Sequence, residues 1–150
     1  MKLASFNING IRAAAKKGLW EWLDEAEIDF LGVQEVKAHE EQVNLSKVQE
    51  MGYQVYWHAA EKKGYSGVAI FTRLEPDMVV CGMGMDRYDN EGRVIRADFG
   101  DLTVLNCYFP SGSSGEERHG FKLEFLSDFY DWVTELKKER QKLIIMGDYN

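Results

Sequence analysis

The chain has 150 residues, a formal net charge of −7, and 45% hydrophobic and 13% aromatic residues. That is enough apolar material for one domain with a core, which argues against a disordered chain. The acidic balance argues against nucleic-acid binding by overall positive charge, while leaving a local basic groove open. No run approaches the ~20 apolar residues of a membrane span and no signal-like segment follows Met1, so a cytoplasmic protein with no membrane partner is expected.

Residues 2–8 read as a strand, and 13–26 as a helix with Leu19, Trp22, Leu23 and Ala26 on one stripe and its tryptophans in the core. A short apolar strand over 30–34 ends at Glu35, followed by a polar stretch and a helix near 45–51. Residues 53–58 alternate as a half-buried strand. Four further strands are expected over 68–72, 78–83, 94–99 and 102–109, joined by turn-rich segments such as 87–92. A Ser- and Gly-rich loop over 110–120 leads to a long amphipathic helix from Phe121, carrying Phe125, Phe129, Trp132, Val133 and Leu136. Its last turns hold Lys137, Lys138 and Arg140, where cations favour the helix dipole, and a strand over 142–146 follows. Cys81 and Cys107 lie in apolar runs without CxxC spacing and read as buried reduced thiols, not as a disulfide or zinc site.

This order predicts sheets layered with helices: antiparallel pairing where strands succeed one another, and a crossover unit joining the first two strands. No Walker-type phosphate loop is present, which argues against nucleoside-triphosphate chemistry.

Three predicted strands end in the same way, with acid or amide side chains placed where the apolar run stops. These are Asn7 and Asn9, Gln34 and Glu35, and Asp148 and Asn150. In the last set, Gly147 is expected to free the backbone to turn, and a strand period of two would point Asp148 and Asn150 the same way. Loops at one sheet edge can converge into a site. Asn7, Glu35 and Asp148 would bring hard oxygen ligands that suit magnesium or manganese. Tyr108 could donate its phenol to a phosphate oxygen, and Gly64 and Gly67 would let backbone amides approach one. Arg12, Lys16, Lys17, Lys37, Lys62 and Lys63 recur at loop positions, as a basic rim would require. His39, His58 and His119 lie in no context that marks a general base.

In order along the chain stand Ser5-Phe6-Asn7-Ile8-Asn9-Gly10-Ile11-Arg12, Val33-Gln34-Glu35-Val36-Lys37, Gly64-Tyr65-Ser66-Gly67-Val68-Ala69, Glu91-Gly92-Arg93-Val94, Tyr108-Phe109-Pro110 and Gly147-Asp148-Tyr149-Asn150. This series resembles the exonuclease III family of apurinic/apyrimidinic endonucleases, its bacterial members most, within the endonuclease/exonuclease/phosphatase superfamily. The resemblance implies an α/β fold, a four-layered α/β sandwich of the deoxyribonuclease I-like kind. Residues 1–150 would form the N-terminal part of that single domain, with one sheet's strands and flanking helices.

It also implies magnesium-dependent hydrolysis of DNA phosphodiesters in base excision repair, at abasic sites or at the 3′ ends of double-stranded DNA, by a protein monomeric when full length. Glu35 matches a magnesium ligand, with manganese as a substitute, and Asn7 lies close to metal and phosphate. Asp148 matches the residue that orients or deprotonates the attacking water, Asn150 helps position it, and Tyr108 matches the tyrosine near the scissile phosphate. Arg12, Lys37, Tyr65 and Arg118 fall where family members contact or approach DNA.

Ser111 stands where many relatives carry Asn or Gln, and the later motifs, including a Ser-Asp-His segment, are expected beyond these residues. Two other readings remain. One is a non-catalytic fragment or DNA-binding module that exposes a sheet edge and an apolar face. The other is a superfamily phosphatase acting on lipid or inositol phosphates, which the Asn-Gly-Ile-Arg and Gly-Tyr-Ser-Gly motifs disfavour.

Overall fold

The computed structural model describes residues 1–150. In chain order its elements are β1 (Leu3–Asn7), α1 (Ile11–Lys16), α2 (Leu19–Glu25), β2 (Phe30–Gln34), a 3-10 turn at Glu40–Gln42, α3 (Ser46–Glu50), β3 (Gln54–His58) and β4 (Val68–Thr72). Then come β5 (Met78–Cys81), α4 (Asp86–Asp89), β6 (Val94–Phe99), β7 (Leu102–Tyr108), α5 (Glu116–Glu139) and β8 (Lys142–Asp148). The strands form two four-stranded mixed sheets, ordered β1-β2-β4-β3 and β5-β6-β7-β8. Strands of both sheets are therefore present, more than the single sheet expected. No helix is long and apolar enough to cross a membrane.

Alternation along each strand builds the layers. In β2, Phe30 faces the second sheet and packs with Val68, Ile70, Ile95, Ala97 and Val104 between the sheets. Leu31 and Val33 face the other way, against Ile11, Leu19, Trp20, Leu23 and Val48 of α1, α2 and α3. The second sheet likewise turns Leu105 and Cys107 toward Tyr88 of α4 and Phe125, Phe129, Val133 and Leu136 of α5. The result is the expected four-layered sandwich, helices outside and two sheets within. Each sheet contains one parallel pair: β1 beside β2, joined through α1 and α2, and β7 beside β8, joined through α5. The remaining pairings, β2–β4, β3–β4, β5–β6 and β6–β7, are antiparallel.

Several local expectations are corrected. The helix over 13–26 is two helices, because the chain turns at Gly18 with φ +102°. The break resets the helical phase, so Trp20 is buried while Trp22 is 42% exposed. The segment 87–92 contains part of α4, tied down by Asp89, whose carboxylate accepts the backbone N–H groups of Met83, Gly84 and Met85. Helix α5 begins at Glu116, inside what read as loop. Both cysteines are free, but Cys81 is exposed at the end of edge strand β5, and only Cys107 is buried.

Gly147 does not end its strand. It lies within β8 at φ +142°, opposite Cys107, and a Cβ built there would stand 1.9 Å from the Cys107 carbonyl oxygen. Glycine is therefore what allows β8 to approach β7 one residue before Asp148. Gly147→Ala is expected to cost about 3 kcal/mol or more in urea unfolding. Gly100→Ala, at φ +58° in open space, should cost about 1 kcal/mol. Equal losses would show that the close approach of β7 and β8 is not the constraint at Gly147.

Candidate active site

The two parallel pairs place their C-terminal ends in register, Asn7 beside Gln34 and Tyr108 beside Asp148. Asn7, Tyr108 and Asp148 follow the alternation that faces each sheet toward the other, so they meet across the sandwich. The Asn7 amide donates from Nδ2 to Glu35 Oε1 at 3.0 Å and to Asp148 Oδ2 at 2.7 Å, so one nitrogen bridges carboxylates carried by opposite sheets. Asn7 Oδ1 accepts the Asn9 backbone N–H at 3.0 Å, which determines the way the amide faces. Asn7 therefore offers its N–H groups to the carboxylates, and its oxygen is engaged in a turn.

Glu35 reaches the site by breaking the pleat. Strict alternation would send it to the helix side with Leu31 and Val33, but its backbone lies at φ +54°. Asn9, Lys37, Ser66 and Asn150 also have positive φ, between +43° and +53°, as does Glu27 away from these loops, and such residues persist where the surrounding structure over-determines the backbone. The loops are laced together to hold them. Ile8, Gly10 and Ile11 donate N–H bonds to the carbonyls of Gln34, Glu35 and Val36, and Val36 and Lys37 donate to Gly67 and Ser66. Asn150 lies beyond β8 and does not continue its period. Its N–H donates to Asp148 Oδ1 at 2.9 Å, while its side chain turns to the Phe109 carbonyl at 2.8 Å.

The electrostatics suit an ionised carboxylate beside a protonated phenol. Burial pushes the Glu35 carboxyl up, but hydrogen bonds from Asn7 and Tyr108 and the Lys37 ammonium outweigh it and hold the group below the usual range. Lys37 Nζ lies 3.4 Å from Glu35 Oε2 and donates to Asn9 Oδ1 at 2.6 Å. Burial, then the bond to Glu35, raise the Tyr108 phenol far above its ordinary value, so it remains a donor at neutral pH. Glu35 and Asp148, with no thiol or imidazole among them, suit a hard divalent cation that fills its shell with waters and substrate oxygens. No cluster of three His, Cys, Asp or Glu side chains forms.

Gln34, expected beside Glu35 in the site, instead points between the sheets and is buried. Arg12 lies on the rim, exposed, with Nη2 3.4 Å from the Lys37 carbonyl oxygen. Tyr65 and Arg118 meet in a cluster that sequence reading did not assemble. Arg118 grips both Glu91 oxygens, at 3.0 and 3.2 Å, and donates to the Tyr65 hydroxyl at 3.2 Å. The buried Arg93 donates to Glu91 at 2.7 Å and to Tyr65 at 3.0 Å, and its guanidinium lies 4.8 Å from the Tyr108 ring centroid. The one available signal was the Glu91-Gly92-Arg93 motif, which carries no chemistry by spacing alone.

Burial raises the Glu91 carboxyl, but Arg118 and Arg93 lower it more, leaving it below its ordinary value. A depressed carboxyl stabilises the fold fully above the unfolded value of about 4.3 and ceases to do so as pH falls through the folded value. Glu91→Gln is therefore expected to flatten the acid limb of a urea-unfolding series taken from pH 7 to pH 3. At neutral pH it should cost on the order of 2 kcal/mol or more, because Arg93 is left buried without its partner. An unchanged acid limb would remove Glu91 from that account.

Residues 4–150 match the model of the Endonuclease/Exonuclease/phosphatase family. The chain is 38% identical over 151 residues to the exodeoxyribonuclease of Bacillus subtilis (strain 168), covering 100% of this chain and 58% of that protein. It superposes on a 3′-5′ exonuclease (NExo) from Neisseria meningitidis with TM-score 0.89 and 26% identity, over 100% of this chain and 58% of that one. An AP endonuclease from Archaeoglobus fulgidus aligns with TM-score 0.80 and 31% identity, over 90% of this chain and 52% of that one. The chain thus spans about half the length of the proteins it matches. With the sandwich, the order of its motifs and this match across nearly its whole length, the chain belongs to the Endonuclease/Exonuclease/phosphatase family.

Proposed function

We propose that this chain supplies the phosphate-handling part of a magnesium-dependent DNA-repair nuclease, acting on double-stranded DNA at abasic sites or 3′ ends. The observation that carries this reading is the Asn7 amide holding Glu35 and Asp148 together from opposite sheets. Two carboxylates brought together from the strand ends of facing sheets, one beside a protonated phenol, form a site for in-line attack of water on a phosphodiester.

Each residue has a part in that reaction. Glu35, kept ionised, would hold Mg2+ or Mn2+, which would neutralise charge on the phosphate. Asn7 orients the two carboxylates through its N–H groups, so the metal-ligand role falls to Glu35. Asp148, one oxygen on Asn7 and the other on the Asn150 N–H, orients the attacking water and takes its proton. Tyr108 donates its phenol to a phosphate oxygen, and Asn150 sets the position of Asp148. Arg12, Lys37 and Tyr65 line the approach for the DNA backbone, joined by Arg118 when it exchanges Glu91 for a phosphate.

In the full-length protein, Glu35→Ala and Asp148→Ala are each expected to lower kcat on an abasic duplex about 100-fold or more, with duplex binding retained. Full activity of either variant at saturating Mg2+ would overturn the reading. The panel includes undamaged duplex with free 3′ ends and a phosphoinositide; turnover of the lipid alone would move the protein to the phosphatase class. Arg12→Ala and Lys37→Ala should weaken duplex binding, each reducing the slope of log affinity against log salt by about 1. Slopes equal to wild type would remove these cations from the DNA path.

A further inference from the structure

Between the sheets, directly beneath the site, two amide side chains are buried against each other. Asn106, in the middle of β7, is fully buried and faces the first sheet. Its Nδ2 donates to the carbonyl oxygens of Val33 at 3.1 Å and Ala69 at 2.9 Å, and its Oδ1 accepts from Gln34 Nε2 at 2.7 Å. Gln34 Nε2 also lies 3.1 Å from Ser5 Oγ and 3.2 Å from the Gly32 carbonyl oxygen. The first sheet leaves a socket for this side chain. A Cβ on Gly32 would stand 2.8 Å from Asn106 Cγ, so Asn106 occupies the space that a side chain at residue 32 would fill.

The amide pair and Ser5 each stand one or two residues from a site residue. Ser5 precedes Asn7 by two, Gln34 precedes Glu35 by one, and Asn106 precedes Tyr108 by two and pairs with Met146, two before Asp148. Apolar contacts between sheets are non-directional and tolerate sliding, whereas a side chain bonded to β2, β4 and Gln34 at once sets the offset of one sheet on the other. The site needs that offset held, because its carboxylates come from different sheets.

We propose that Asn106, with Gln34, is a positioning residue for the phosphodiester reaction. The pair fixes the spacing of Glu35 and Asp148 by pinning the two sheets beneath them. The proposal rests on the nuclease reading above. A misplacement of about 1 Å at a reacting centre costs on the order of 100-fold in rate. Replacing both partners of a buried polar pair with apolar groups of similar shape costs far less stability than removing one and stranding the other. Activity and stability therefore separate in the variant that removes both.

The test uses the full-length protein and the double variant Gln34→Met/Asn106→Leu, with Ile70→Val as a control buried between the same sheets. The expected result is a cooperative unfolding transition, with kcat on the abasic duplex lowered 10-fold or more, KM within about 3-fold of wild type, and the control within 2-fold in kcat. In an Asp148→Asn background the double variant should lower kcat no further, because the geometry it disturbs is already without use. A folded double variant with wild-type kcat overturns the proposal, and so does a loss that adds in full to that of Asp148→Asn. Should the double variant fail to fold, Gln34→Met alone, which leaves Asn106 on Val33 and Ala69, is held to the same kcat, KM and additivity criteria. An inactive wild-type protein would instead count against the nuclease reading.

Discussion

A single side-chain amide joins the halves of the site, and much of the architecture exists to make that contact possible. For the Asn7 nitrogen to reach both Glu35 and Asp148, β1 and β8 must lie opposite each other in the two sheets, with their C-terminal ends at the same side. Helical crossovers supply this orientation, since a parallel neighbour cannot be reached through a tight hairpin. The sheet order then puts β1 at one edge of its sheet and β8 at one edge of the other. The Asn9 turn holds the amide facing correctly. Without it the amide could turn its oxygen toward two carboxylates, a repulsive arrangement.

Around this contact the charges are arranged in two tiers. Lys37 sits on the rim, shared between Glu35 and Asn9. Behind it, Arg93 and Arg118 divide one carboxylate, Glu91, with the Tyr65 hydroxyl between them. Two guanidinium groups on one carboxylate leave that cluster one positive charge, which with Lys37 offsets Glu35 and Asp148 inside a chain whose overall charge is −7. Local potential, not net charge, decides whether a phosphate is drawn to such a rim.

Much of the fold was legible because burial imposes period on sequence. The strands over 30–34, 68–72 and 94–99 lie where the apolar runs put them. The family resemblance was legible because short motifs, not long-range packing, carry it. The misreadings share a different cause. Gly18 lies inside the stretch that reads as one helix and resets its phase; α4 is too short to show a period; Gly147 looked like a turn residue and is a packing residue. Gln34 and Glu35 read alike as polar residues at a strand end. They part because Gln34 obeys the pleat and Glu35, in a left-handed conformation, does not. Which face of β2 meets the other sheet cannot be read locally, so neither could the role of Asn106. The Arg93–Glu91–Arg118 cluster joins residues 27 apart across a loop and a helix start, with no spacing to betray it.

The separation along the chain of the three site partners also orders their assembly. Asn7 and Glu35 are 28 residues apart within one sheet, whereas Asn7 and Asp148 are 141 apart and belong to different sheets. Closing the longer loop costs more chain entropy, and its reward comes only when both sheets are stacked. On a ribosome, the first carboxylate can be seated while most of the second sheet is still unmade. The second arrives with β8, so a partly folded chain holds half of the acidic pair, and the two carboxylates meet only once β8 has stacked opposite β1.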